Sequence, residues 1–165
     1  GLQKLVCEQL LDLSSKTCDV DTVSLRYFNV YGPYSYNKGT YATAVSAWLN
    51  SIKDRQPLRK DGTGEQSRDM VYVEDVVNAN ILAAIHSSPL KGIAMNIASG
   101  EAVTNNYILD CLQKKFKFNI QEAPFRAGDV MKTLASIDLA QKTIGYKPQT
   151  SFDEGLEKTI QSMNL

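Results

Sequence analysis

The spacing of apolar residues in this 165-residue chain switches repeatedly between two periods, and that switching limits the fold more than any other feature. Leu2, Leu5, Val6, Leu10 and Leu13 recur every three or four residues, as on one face of a helix. Val23, Leu25 and Tyr27 then alternate, as in a strand. The same exchange continues downstream. Residues 41–53 read as a second helix ended by Pro57, 70–73 as a short strand, and 76–86 as a third helix with acidic Glu74 and Asp75 at its positive end. Residues 94–98 read as a strand, Thr104 caps a helix to about Lys115, and 119–122 form a further strand. A short helix starts at Asp138 and stops near Gly145. Ser151 and Glu154 form a capping box for a last helix with apolar face Phe152, Leu156, Ile160 and Met163. Helices interleaved with short strands predict an α/β or α+β fold, read as one domain over residues 1–165.

Charge and cysteine content narrow the partners. Eighteen basic and eighteen acidic residues give zero formal net charge. Bulk electrostatics therefore gives no reason to expect nucleic acid or an anionic membrane, and any anion must meet a few well-placed basic groups. Cys7, Cys18 and Cys111 are far apart and form no metal-binding pattern, so no metal site is expected. Their odd number suggests reduced thiols and a cytoplasmic setting. No apolar run approaches the ~18 residues of a membrane span.

Candidate chemistry falls in four places. Lys4 lies on the opening helix, where alone it is an ordinary surface lysine. Arg26-Tyr27-Phe28-Asn29-Val30-Tyr31-Gly32-Pro33 carries a strand into an expected loop at 29–33, and strand C-terminal ends are where α/β proteins place ligands. Gly62-Thr63-Gly64-Glu65-Gln66-Ser67-Arg68-Asp69 is a turn followed by an arginine suited to a phosphate, or else by a plain Arg68–Asp69 surface pair. Arg126-Ala127-Gly128-Asp129 offers a guanidinium and a carboxylate, with a loop ion pair as the alternative. His86 reads as a helix C-terminal cap, and Trp48 as core or pocket wall. The sequence holds no glycine-rich dinucleotide loop of the G-x-G-x-x-G kind, and Gly62 and Gly64 precede a strand.

Taken in order, these segments resemble the C-terminal part of the extended short-chain dehydrogenase/reductase family, the NAD-dependent nucleotide-sugar epimerases and dehydratases. Asn96-Ile97-Ala98-Ser99-Gly100 and Gly145-Tyr146-Lys147-Pro148 belong to the same resemblance, which runs over nearly the whole chain. It is most similar to UDP-N-acetylhexosamine and UDP-glucose 4-epimerases. The resemblance implies the substrate-binding part of an extended Rossmann-type enzyme, with remnant parallel strands and without the dinucleotide-binding half. Lys4 corresponds to the lysine of the family's catalytic Tyr-x-x-x-Lys pair, which holds the nicotinamide ribose and lowers the tyrosine pKa, with the tyrosine expected just ahead of Gly1. Phe28 would meet the nicotinamide carboxamide through its backbone. Asn29 would hydrogen-bond the diphosphate or the sugar, Arg68 and Arg126 would clamp the diphosphate, Asp129 would hold the ribose hydroxyls, and Thr43 and Ala44 would offer helix-start backbone groups to a phosphate or base. NAD is the cofactor implied for the intact enzyme; binding of NAD, and catalysis, by this chain alone are not expected. Arg59-Lys60-Asp61 departs from the family, which carries an apolar-aromatic pair there; this leaves the base open or moves its recognition to the backbone near Leu58. Three readings follow: an epimerase portion, with a dehydratase portion as its variant; a binding module without catalysis; and an oligomerising remnant. Loss of a sheet neighbour would leave the 23–27 strand with an open edge, so self-association, as a homodimer or a domain-swapped assembly, is expected, and a missing Rossmann half is a candidate partner.

Overall fold

The computed structural model of the chain describes residues 1–35 and 42–165. Helix α1 (Leu2–Thr17) leads to β1 (Ser24–Tyr27), β2 (Asn29–Tyr31) and α2 (Ala44–Lys53). Then come β3 (Leu58–Asp61), β4 (Ser67–Tyr72), α3 (Val73–Ala84), β5 (Ala94–Ile97), β6 (Ala102–Thr104) and α4 (Asn105–Gln113). The chain ends with β7 (Ile120–Ala123), α5 (Asp138–Ile144) and α6 (Phe152–Ser162). This is the mixed α/β fold that the switching period predicts. Among the described residues no helix is long and apolar enough to cross a membrane.

Strand β4 organises the interior. On one side β2 runs parallel to it, with Asn29 opposite Met70 and Tyr31 opposite Tyr72. On the other, β6 runs antiparallel, with Ser67 opposite Thr104 and Asp69 opposite Ala102. Successive side chains of a strand point to opposite faces, and β4 is covered on both. Met70 and Tyr72 enter a core with Tyr31, Trp48, Leu49, Leu112, Leu156 and Ile160. Val71 enters a second core with Val76, Met95, Ile97, Ile144 and Tyr146. Coverage of both faces explains why Met70-Val71-Tyr72 reads as an unbroken apolar run. The remaining strands form two parallel pairs, β1 with β5 and β3 with β7.

Caps set the helix boundaries. Thr43 Oγ1 accepts from the Ser46 amide at 3.3 Å, Thr104 Oγ1 from Tyr107 at 3.1 Å, and Ser151 Oγ from Glu154 at 3.3 Å. The Glu154 carboxylate does not complete the expected box; it pairs with Lys158 at 2.9 Å. Helix α5 stops at Gly145, whose φ of 69° suits a residue without Cβ.

Several local expectations are corrected. Residues 29–31 of the expected loop are strand β2, because Tyr31 is buried beside Tyr72 and the turn begins only at Gly32. Helix α3 begins at Val73, three residues early, which draws Glu74 and Asp75 into its first turn. Asp75 does more there than meet the helix dipole, since its carboxylate accepts from the Gln149 and Thr150 amides at 2.8 and 3.2 Å. His86 lies just beyond α3: its backbone amide donates to Ala83 O at 3.4 Å, while its ring Nδ1 contacts Ser88 O at 2.7 Å, so the cap comes from the backbone and not from the imidazole. Strand β3 was hidden by its charge: Lys60 pairs with Glu122 across the β3–β7 ladder at 3.3 Å and only Leu58 is buried. Tyr41, the expected start of the second helix, lies outside the described residues; α2 begins at Ala44.

Helix α1 forms as its period predicts, but none of its residues is buried and Leu2 is 76% exposed. Polar contacts dock it. Glu8 accepts twice from Arg26, at 2.8 and 2.5 Å, and Thr22 Oγ1 donates to Leu11 O at 2.9 Å.

Candidate functional site

Six of the residues singled out from the sequence line one cleft of about 630 Å³: Asn29, Thr43, Ala44, Arg68, Arg126 and Asp129. They come from four places in the chain, and the fold brings each there for a local reason. Asn29 opens β2 and sits in register with Met70 on β4. Alternation along β4 sends Arg68 to the Met70 side, and both line the cleft. Thr43 caps and Ala44 begins α2, whose N-terminal end carries partial positive charge. Gly128, at φ 80°, turns the loop that carries Arg126 and Asp129. The volume is that of a small-molecule site.

The charged groups are cross-paired. Arg68 does not pair with its neighbour Asp69. One Nη of Arg68 meets Asp129 Oδ1 and the other donates to Ser67 O at 2.9 Å. Arg126 does not pair with Asp129 either; its Nε meets Asp61 Oδ2 at 2.6 Å, while Arg59 Nε meets Asp61 Oδ1 at 2.8 Å. Among the described residues of the lining, three guanidinium groups thus face two carboxylates, an excess of one positive charge. Arg68 is firmly held, with 21% of its side chain exposed; Arg59 and Arg126 stand at 58% and 57%. Guanidinium groups that hold carboxylates in this way are equally suited to phosphate oxygens.

The reading from sequence missed part of the wall. Arg59 and Asp61, set aside as a departure from the family, both line the cleft. Alternation on β3 was the available signal, because it puts Lys60 on the other side. Leu58 itself is buried and its amide donates to Asn119 O at 2.8 Å, so that amide is taken by the ladder. Trp48 is a wall as well as core: it lines the cleft and its Nε1 donates to Arg59 O at 2.8 Å.

Lys4 and Phe28 are not among the lining residues. Lys4 lies exposed on α1. Phe28 packs against the second core, and its amide already donates to Ile97 O at 3.1 Å.

The model of the NAD dependent epimerase/dehydratase family matches residues 1–98. The chain belongs to that family. A putative UDP-glucose 4-epimerase of Methanocaldococcus jannaschii is 30% identical over 166 residues, covering 99% of this chain and 52% of that protein. The structure of UDP-N-acetylglucosamine 4-epimerase from Methanobrevibacter ruminantium in complex with UDP-N-acetylmuramic acid superposes with a TM-score of 0.90 at 30% identity, over 99% of this chain and 52% of that one. UDP-glucuronic acid 4-epimerase from Bacillus cereus, in complex with UDP-glucuronic acid and NAD, gives 0.86 at 26%, over 99% and 51%. The chain spans about half the length of the family members it matches.

Proposed function

We propose that this chain is the sugar-nucleotide-binding portion of an NAD-dependent nucleotide-sugar 4-epimerase, with a UDP-sugar as its ligand. The observation that carries the reading is the convergence of Asn29, Arg68, Arg126 and Asp129 on one cleft beside the start of α2. Arg68 and Arg126 clamp the diphosphate, and the α2 start adds backbone donors to the same charge. Asp129, released from Arg68, accepts from the ribose hydroxyls. Asn29 donates to the diphosphate or the sugar, and Trp48 closes the floor. The UDP-sugars bound by the relatives above support the choice of ligand.

The residues of this chain do not by themselves fit a dinucleotide. The sequence has no glycine-rich phosphate loop, Lys4 stands on a helix with no buried residue, and the Phe28 amide is engaged. NAD supplies the family's hydride chemistry when bound. The role read for this chain is to bind and orient the sugar nucleotide, with catalysis requiring a dinucleotide site from elsewhere. Self-association through the exposed face of α1 belongs to the same reading.

Calorimetry on the chain with UDP, UMP and uridine tests it. Binding that strengthens from uridine through UMP to UDP is the expected order, because each phosphate adds a charge for the arginines. Equal or absent heats at millimolar ligand would remove the sugar-nucleotide assignment.

A further inference from the structure

Asp69 follows Arg68 on β4 but points to the opposite side of the strand, where it has no exposed surface. Among the described residues no arginine or lysine meets its carboxylate. Four neutral donors do, from two separate segments. Ser99 N and Ser99 Oγ reach Oδ1 at 2.8 and 2.7 Å, and Gly100 N and Ala135 N reach Oδ2 at 3.1 and 3.2 Å. The first three come from the turn between β5 and β6. The fourth comes from the stretch that continues the Arg126–Asp129 loop.

That stretch is laid along β4 by a short ladder. Ser67 N donates to Met131 O at 2.8 Å and Thr133 N donates back to Ser67 O at 3.1 Å. Asp69 N donates to Thr133 Oγ1 at 3.4 Å. The ladder decides whether Asp129 stands opposite Arg68, since only Val130 separates Asp129 from Met131. The backbone bonds at Ser67 can slide in register, as strand pairings do. A buried carboxylate holding Ala135 cannot follow without leaving donors unmet.

We propose that Asp69 is a positioning residue for the cleft: it pins residues 129–135 against β4 and thereby sets the distance between Arg68 and Asp129, without touching the ligand. The proposal rests on the cleft being a nucleotide-sugar site. It has a chemical signature in the carboxylate itself: both oxygens accept from backbone amides, Oδ1 from Ser99 N and Oδ2 from Gly100 N and Ala135 N. An asparagine at 69 sets its NH₂ against an amide donor in either orientation, so Asp69→Asn loosens the pin although it keeps the side chain's size.

The test is Asp69→Asn, with UDP affinity measured well below the variant's unfolding midpoint and Val130 amide exchange measured without ligand. Val130 N donates to Asp129 Oδ1 at 3.0 Å and so reports the loop's position. The variant is expected to lose about tenfold in affinity, with Val130 protection falling alongside. A variant with a lower midpoint but unaltered affinity and Val130 protection would reduce Asp69 to a stability residue and overturn the proposal. If the original chain fails to bind UDP, the cleft reading falls separately, and Val130 protection alone decides the pinning. Should Asp69→Asn not fold, Asp69→Glu serves: it keeps the carboxylate but its extra methylene pushes the stretch away. Its affinity must then fall about tenfold with the circular dichroism spectrum retained, and unchanged affinity would overturn the proposal.

Discussion

Arg68 and Arg126 carry the same charge into the cleft but stand in different surroundings. Arg68 is fixed by Ser67 O and Asp129 and is mostly covered, whereas Arg126 reaches Asp61 from a largely exposed position. Solvent screens the exposed group and a held fork loses less entropy on binding. Arg68→Ala should therefore weaken UDP binding by ~10- to 100-fold and Arg126→Ala by less than ~10-fold, as calorimetry would show; the reverse order would mean the phosphate sits nearer the loop. Tyr107 gives a residue-scale pH prediction. Its hydroxyl donates to both oxygens of Asp153 at 2.9 Å, and that bond, with some burial, pushes the phenol up to about 12. The folded value lies above the usual tyrosine value of ~10. The contribution to stability is then complete below that pH and is lost as pH rises through about 12. An ultraviolet titration should lose one late-ionising tyrosine in Tyr107→Phe.

At the scale of elements, helices with a side-chain cap were the most legible. Thr104 and Ser151 mark their helices in the sequence and cap them in the structure. Short strands were read unevenly: β1, β5 and β7 stand where the sequence put them, whereas β2 was read as loop, and the charged β3 and the three-residue β6 were missed. The cleft was legible as a set of residues through family resemblance. Its pairing was not, because Arg68 with Asp129 and Arg126 with Asp61 depend on where two distant segments meet. The inward role of Asp69 was hidden for the same reason, although the β4 alternation separates it from Arg68. Helix α6 illustrates how closely elements approach. A Cβ at Gly155 would lie 2.3 Å from Tyr31 Oη and 2.8 Å from Tyr72 Cδ2. Gly155→Ala should cost about 1–3 kcal/mol in chemical denaturation despite its better helix propensity, and a stabilised variant would show that α6 packs less tightly than described.

The molecule as a whole combines two cores joined through β4 with a first helix that neither core covers. Leu2, Leu5, Val6, Leu10 and Leu13 are all exposed on α1, and so continuous an apolar stripe favours association. Light scattering should show a mass that rises with concentration, and Leu5→Glu with Leu10→Glu should bring it back to a monomer; a monomer at every concentration would exclude this surface as an interface. The central claim is the shared cleft, and a titration followed by backbone and arginine side-chain NMR tests it most directly. Addition of UDP-glucose should move Asn29, Ala44, the Arg68 and Arg126 Nε groups and Asp129 together, with one common dissociation constant. Resonances that move at unrelated concentrations, or shifts confined to residues away from these five, would contradict it.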